Sequence, residues 1–173
     1  MIDLVVDNNT NRQRQALKTI ATIGEDAKPA LSLVLAFAER EAQQVTPGSG
    51  GSRWSLEVIR TLLAIAPEDR RVFRVLLSCL DSENLATNSA DQSQLEAAIS
   101  LPRTPFKKES VRVLVTMLRQ APDSRMRTVA AKALGEIGPD AKDAVKYLEA
   151  AKIDSNAEIR EAVGAALKAI KKD

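Results

Sequence analysis

The sequence contains no histidine and one cysteine, Cys79. Histidine is the commonest general base and metal ligand near neutral pH, so its absence excludes Ser-His-Asp and Cys-His nucleophile systems. A lone thiol supplies neither a disulfide framework nor a cysteine-based zinc site. Cys79 lies in Val75-Leu-Leu-Ser-Cys-Leu80, where an inert buried thiol is expected, because a reactive one needs an accessible, electropositive setting. Aromatic residues are only 3% of the chain, and the seven glycines and seven prolines fall mostly between periodic segments. A core with so few rings must be filled by Leu, Ile, Val and Ala. No apolar run approaches the roughly 20 residues that span a bilayer, and Met1 to Asp7 lacks the basic and apolar stretches of a signal peptide. A cytoplasmic monomer without a cofactor, catalytic group or metal is expected, either as a whole protein or as one piece of a longer one.

What is present is ordinary in amount and unusual in arrangement. The chain has 173 residues, 45% apolar and 28% charged, which suits one folded domain with a sizeable core. The net charge of +2 is nearly balanced, and the half after Thr87 is mildly basic.

Two segments align without gaps. Ala16-Leu-Lys-Thr-Ile-Ala-Thr-Ile-Gly-Glu-Asp-Ala-Lys-Pro-Ala-Leu31 matches Ala130-Ala-Lys-Ala-Leu-Gly-Glu-Ile-Gly-Pro-Asp-Ala-Lys-Asp-Ala-Val145. Their offset is roughly three periods of 38 residues, in the range of helix-pair repeats. Weaker copies lie between them, at Leu63 to Asp69 and from Ala97 through Leu114, and Asn156 to Lys171 begins a further copy that stops after one helix.

Each copy reads as helix, tight turn, helix. In the fourth, Met126, Val129, Ala130, Ala133, Leu134 and Ile137 recur at spacings of three and four, one apolar stripe on a helix. Gly138 stands where a residue in left-handed conformation would end that helix, and Pro139 suits the first position of the next. Ser155-Asn-Ala-Glu158 fits a capping box, with Ile159, Val163, Ala166, Leu167 and Ile170 as the stripe behind it. Similar stripes run through Leu56 to Leu63, Val72 to Leu80 and Val111 to Leu118. No alternating strand pattern is bounded by hairpin turns. The pattern predicts an all-α, right-handed superhelix of about four helical hairpins plus a C-terminal helix. It forms one domain over 1–173, with units near 10–41, 53–81, 91–120, 123–152 and 155–171. The run Leu4 to Val6 is expected to be an N-terminal cap or tail. The glycine-rich insertion Thr46 to Gly51 and the polar loop Asp81 to Gln92 each join a second helix to the next first helix, so both are expected on one rim.

The run Arg127 to Val145, followed by Asp154-Ser-Asn-Ala-Glu-Ile-Arg-Glu-Ala-Val163, resembles the HEAT-like repeats first associated with bilin lyases. That subtype favours Ala-Leu-Gly-x-Ile-Gly before the turn and Asp-x-x-x-x-Val-Arg at the next repeat, where Ile159-Arg160 stands here. The resemblance is strong over the last third of the chain, good over 12–40 and degenerate between. It implies a HEAT/armadillo α-solenoid whose second helices line a concave binding face. Family members include lyases, adaptors, DNA glycosylase relatives and many bacterial scaffolds, so the resemblance specifies fold far better than function.

On that implied face, Arg70, Arg71 and Arg74, then Lys107, Lys108 and Arg112 (with Arg103 in the turn before them), then Lys142 and Lys146, stack into a candidate basic ridge. It would suit an acidic peptide or a phosphate backbone. Glu68, Asp69, Glu109, Asp140 and Asp143 are interspersed, and an ordinary solvated face accounts for the same pattern. Trp54 is a candidate anchor or a core residue at the start of a first helix. Tyr147 is a candidate contact or a partly packed ring. Scattered carboxylates such as Glu109 and Asp123 show no pairing that would separate an acid from a base. The leading expectation is a non-enzymatic scaffold binding a protein partner on the concave face. Nucleic-acid binding of the glycosylase-like type is the second reading, and a bilin-lyase-like chromophore protein, implied by the resemblance alone, the third.

Overall fold

The computed structural model describes residues 10–44, 54–80 and 90–172. Leu4 to Val6, Thr46 to Gly51, and residues 81–89 of the second polar loop lie outside the described residues, so the expectations placed on them are not addressed below.

The described chain is helical, with no strand. In order it forms α1 (Thr10–Ile23), a 3-10 segment (Gly24–Ala30), α2 (Leu31–Gln44), α3 (Leu56–Ile65), α4 (Arg70–Cys79), α5 (Gln92–Ser100), a 3-10 turn (Leu101–Arg103), α6 (Lys107–Gln120), α7 (Ser124–Ile137), a 3-10 segment (Gly138–Ala144), α8 (Val145–Ala150), a short 3-10 turn (Ala151–Ile153) and α9 (Ala157–Ile170). The first helices α1, α3, α5, α7 and α9 stack in one row, each against the next, while the second helices pack mainly onto first helices and touch one another little. One aliphatic cluster runs through the array from Ala16 to Ile170. The predicted stripes point into it: Val111, Leu114, Val115 and Leu118 are all buried, as are Ile159, Val163, Ala166, Leu167 and Ile170.

The turn chemistry repeats with the fold. Gly24 and Gly138, equivalent positions in the two aligned segments, both have φ of +68°. At Gly138 ψ is −139°, which lies outside the left-handed helical basin expected from the sequence, in territory that a side chain excludes more strongly. The amide of Gly138 donates to the carbonyls of Leu134 and Gly135, closing α7, and Pro139 is the second residue of the 3-10 segment that follows. The start of the last helix differs from its reading in one respect. The cap of α9 is Asn156, whose side chain accepts from the Glu158 amide, and α9 begins at Ala157. The capping box predicted at Ser155 therefore does not form: the cap moves to Asn156, which makes one cap bond and has Ile159 at the position that would have to return it. Asp154 accepts from the Asn156 amide and from Arg127, which gives the preceding turn its own acceptor and leaves the cap to Asn156.

The packing is closest between α7 and α9. A Cβ built on Gly135 would lie 2.9 Å from Ala166 Cα, whereas one on Gly164, in the interior of α9, would meet nothing within 4 Å. Gly164 therefore contributes only backbone freedom to the unfolded chain. Gly164→Ala is expected to raise stability by about 0.5–1 kcal/mol, measured as a higher urea midpoint at unchanged slope.

Candidate functional site

Three cations on the first helices are tied to carboxylates one unit away. Arg60 of α3 meets Glu96 of α5 at 3.1 Å, Lys132 of α7 meets Glu158 of α9 at 3.1 Å, and Arg127 of α7 meets Asp154 at 3.1 Å. Lys28 reaches Glu68 at 2.9 Å. These pairs bridge neighbouring units. Most are exposed, and each contributes little stability. They balance part of the charge on this side of the array, while Lys18 and Lys168 of the same row form no ion pair among the described residues.

Between α6 and the segment containing α8 lies an open groove of about 840 Å³. Lys108, Arg112 and Arg119 enter it from α6, and Lys142 and Lys146 from the opposite wall. Asp140 and Asp143 are the carboxylates on its lining, and Val111, Val115 and Val145 give it an aliphatic floor. Among the described residues none of the five cations belongs to an ion pair: the ten lysines and arginines that do are all elsewhere. Arg119 and Lys146 both lie over the Tyr147 ring, at 5.3 and 4.8 Å from its centroid. A cation over a ring keeps its charge available while losing rotamer freedom, so both are partly ordered before anything binds.

A second, smaller groove of about 390 Å³ opens between α2 and α4. Trp54, Arg71 and Arg74 line it with Leu35, Glu39 and Val75. Trp54 is 8% exposed and joins the core just before α3, with Ser55 as the cap residue of that helix. It acts as a packed wall of the groove and presents little surface of its own. Tyr147 is half-buried and packs against the core, so the packed and contact alternatives both apply to it.

Two of the predicted cations are occupied by their own repeat array. Arg70 bonds Glu109 at 2.9 Å and lies 4.6 Å over the Phe106 ring, which stacks on Phe73 at 4.5 Å between centroids. The Arg70 hydrogen bond holds Glu109 below its ordinary carboxyl value. Lys107 donates to the carbonyl of Pro102. Arg71 is half committed: it grips Asp69, the cap of α4, at 2.9 Å, and that hydrogen bond depresses the Asp69 carboxyl.

This arrangement of stacked pairs matches known proteins. The family described as HEAT repeats matches residues 75–168, more than half of the chain. The chain belongs to the HEAT repeats family. A designed armadillo repeat protein, solved in complex with the peptide (KR)4, is 15% identical to this HEAT chain, with 98% of this chain and 80% of that one covered and a TM-score of 0.59. An engineered protein is 23% identical, covering 98% of this HEAT chain and 77% of its own, with a TM-score of 0.51. Both show the same all-α repeat fold. No curated protein matches the chain.

Within the HEAT array, the predicted ridge thus separates into parts. Lys108, Arg112, Lys142, Lys146 and Tyr147 meet in the larger groove, Arg71, Arg74 and Trp54 in the smaller, and Arg70 and Lys107 are turned to internal partners. Arg119 was missed. It sits one helical turn beyond Val115 on the face that carries Arg112, and extending the spacing of α6 by seven residues from Arg112 would have found it. Phe106 was missed because its partner ring is distant in sequence. Among the described residues no helix is long and apolar enough to cross a membrane.

Proposed function

We propose that this HEAT chain is a non-enzymatic interaction scaffold whose protein partner binds across the face lined by the second helices. The observation that supports this reading is the convergence of cations on one groove. Five cations on α6 and around α8 line it, and none of them forms an ion pair among the described residues. Unpaired charge raises the encounter rate with an oppositely charged partner and selects against a like-charged one. The designed armadillo protein is in complex with a basic peptide. The groove here carries five cations against two carboxylates, so an acidic partner is expected.

Nucleic-acid binding is the second reading, since clustered cations also suit phosphates. Asp140 and Asp143 on the lining and the scarcity of rings available for base stacking weigh against it.

Lysine-directed cross-linking coupled to mass spectrometry tests the scaffold reading. Cross-links to a protein partner are expected at Lys108, Lys142 and Lys146, and few at Lys18, Lys132 and Lys168 on the first helices. Links confined to the first-helix lysines, or no protein partner together with a low-salt gel shift of nucleic acid, would overturn it.

A further inference from the structure

The two walls of the α6–α8 groove and its floor differ in chemistry, and together they specify an occupant. We propose that this groove takes an acidic peptide segment that also carries aliphatic side chains. Its carboxylates meet Arg112, Arg119, Lys142 and Lys146, and its aliphatic groups lie on Val111 and Val115. The proposal rests on the scaffold reading above and narrows it to one site and one chemistry.

Charge complementarity is the first argument. The groove carries five cations against two carboxylates, and none of the five is in an ion pair among the described residues. The floor is the second. Val111 is 5% and Val115 9% exposed, so each shows the groove a small apolar area on a rigid helix. A purely acidic chain would leave that area wet, and an aliphatic side chain placed there removes it from water. Preorganisation is the third. Arg119 and Lys146 converge on the Tyr147 ring from opposite walls of the groove, so two of the carboxylate donors are already placed, which reduces the ordering cost of binding. A continuous phosphate backbone fits less well, because Asp140 and Asp143 interrupt the cationic lining. A peptide with discrete carboxylates can step past them.

Fluorescence anisotropy with a fluorescein-labelled peptide repeating Glu-Glu-Leu tests this directly. The wild-type chain is expected to bind it, with affinity falling as salt rises, and to ignore the matched Lys-Lys-Leu peptide. The double variant Arg112→Glu, Lys142→Glu is expected to weaken binding by at least about tenfold, since each change replaces an attraction by a like-charge repulsion. Both residues are exposed, and far-UV circular dichroism checks that the variant is folded. An all-Glu peptide is expected to bind more weakly than Glu-Glu-Leu; equal binding would overturn the aliphatic part of the proposal. Undiminished binding by the double variant, with loss in Arg74→Glu, would overturn the groove assignment and leave the scaffold reading standing. Tighter binding of a single-stranded oligonucleotide than of the peptide would overturn the peptide chemistry. If the wild-type chain binds no peptide while partner cross-links still fall on Lys108, Lys142 and Lys146, the proposed chemistry fails and the scaffold reading survives.

Discussion

Gly135→Val is expected to unfold the C-terminal part of the array more readily, lowering stability by about 3 kcal/mol and the melting temperature by roughly 10 °C. The first atom added already fails to fit, because a Cβ at Gly135 would stand 2.9 Å from Ala166 Cα and 3.2 Å from Ala166 Cβ. The obstacle is backbone, so no rotamer change relieves it. α7 and α9 would have to separate, and α9 rests on α7 more extensively than any other two elements pack in the array. Alanine at the same position shows how the opposing effects compare. Helix propensity favours Ala over Gly by about 1 kcal/mol, but overpacking costs about 1–3 kcal/mol, so Gly135→Ala is also expected to destabilise, by less than valine. Ala166→Gly in the valine background should recover part of the loss, because it removes the methyl group from the crowded space while the backbone of α9 still obstructs. Thermal melts of the wild type, Gly135→Val, Ala166→Gly and the double variant measure the coupling. Additive effects, or a valine variant as stable as the wild type, would show that the two helices are farther apart than described.

The second large effect concerns Asp123, which is only 7% exposed. Its carboxylate caps α7 by accepting from the Arg125 amide at 2.8 Å, accepts from the Ala90 amide at 2.7 Å, and meets the Arg125 guanidinium at 2.6 Å. Arg125 in turn donates to the Ala90 carbonyl at 2.9 Å. One side chain therefore fastens the strip of chain before α5 to the start of α7. Asp123→Ala removes a helix cap, worth about 1 kcal/mol, and leaves the buried Ala90 amide without its acceptor, worth about a further 1–3 kcal/mol. A loss of about 3 kcal/mol is expected by urea denaturation at neutral pH.

The same residue gives the protein an acid-sensitive component. The Arg125 hydrogen bond first, and the backbone amides of Ala90 and Arg125 after it, hold the Asp123 carboxyl down to about 2, against 3.8 ordinarily. The folded state therefore binds this proton less readily than the unfolded chain. The resulting stabilisation, about 2 kcal/mol, is complete above about pH 4 and is lost as the pH falls from about 4 to about 2. Asp123→Asn should flatten the pH dependence of stability in that window. An unchanged acid limb in the asparagine variant would mean that other carboxylates carry it.

Asp123 also shows how far the sequence could be read. An aspartate one residue before a helix with Arg two residues on is a legible cap, and Asp69 with Arg71 repeats it on α4. Its bond to Ala90, 33 residues earlier, depends on how two units stack and leaves no local trace. The apolar stripes were legible because a helix must bury one face, and a spacing of three and four admits one solution. The cap at Ser155 was misplaced by one residue, and its box does not form, because two adjacent polar residues could both cap and the turn before them, with Asp154 and Arg127, favours Asn156.

The helical hairpins, their period and the positions of the cations along each helix were determined by the sequence alone, since local periodicity and turn residues act within one unit. Which of those cations remain available was decided only by the tertiary structure. Arg60, Arg70, Arg127 and Lys132 form ion pairs with the next unit, and Lys108, Arg112, Arg119, Lys142 and Lys146 form none among the described residues. An ion pair across units needs two side chains within about 4 Å, and that distance is set by the rotation and spacing of one hairpin on the next, which no single hairpin encodes.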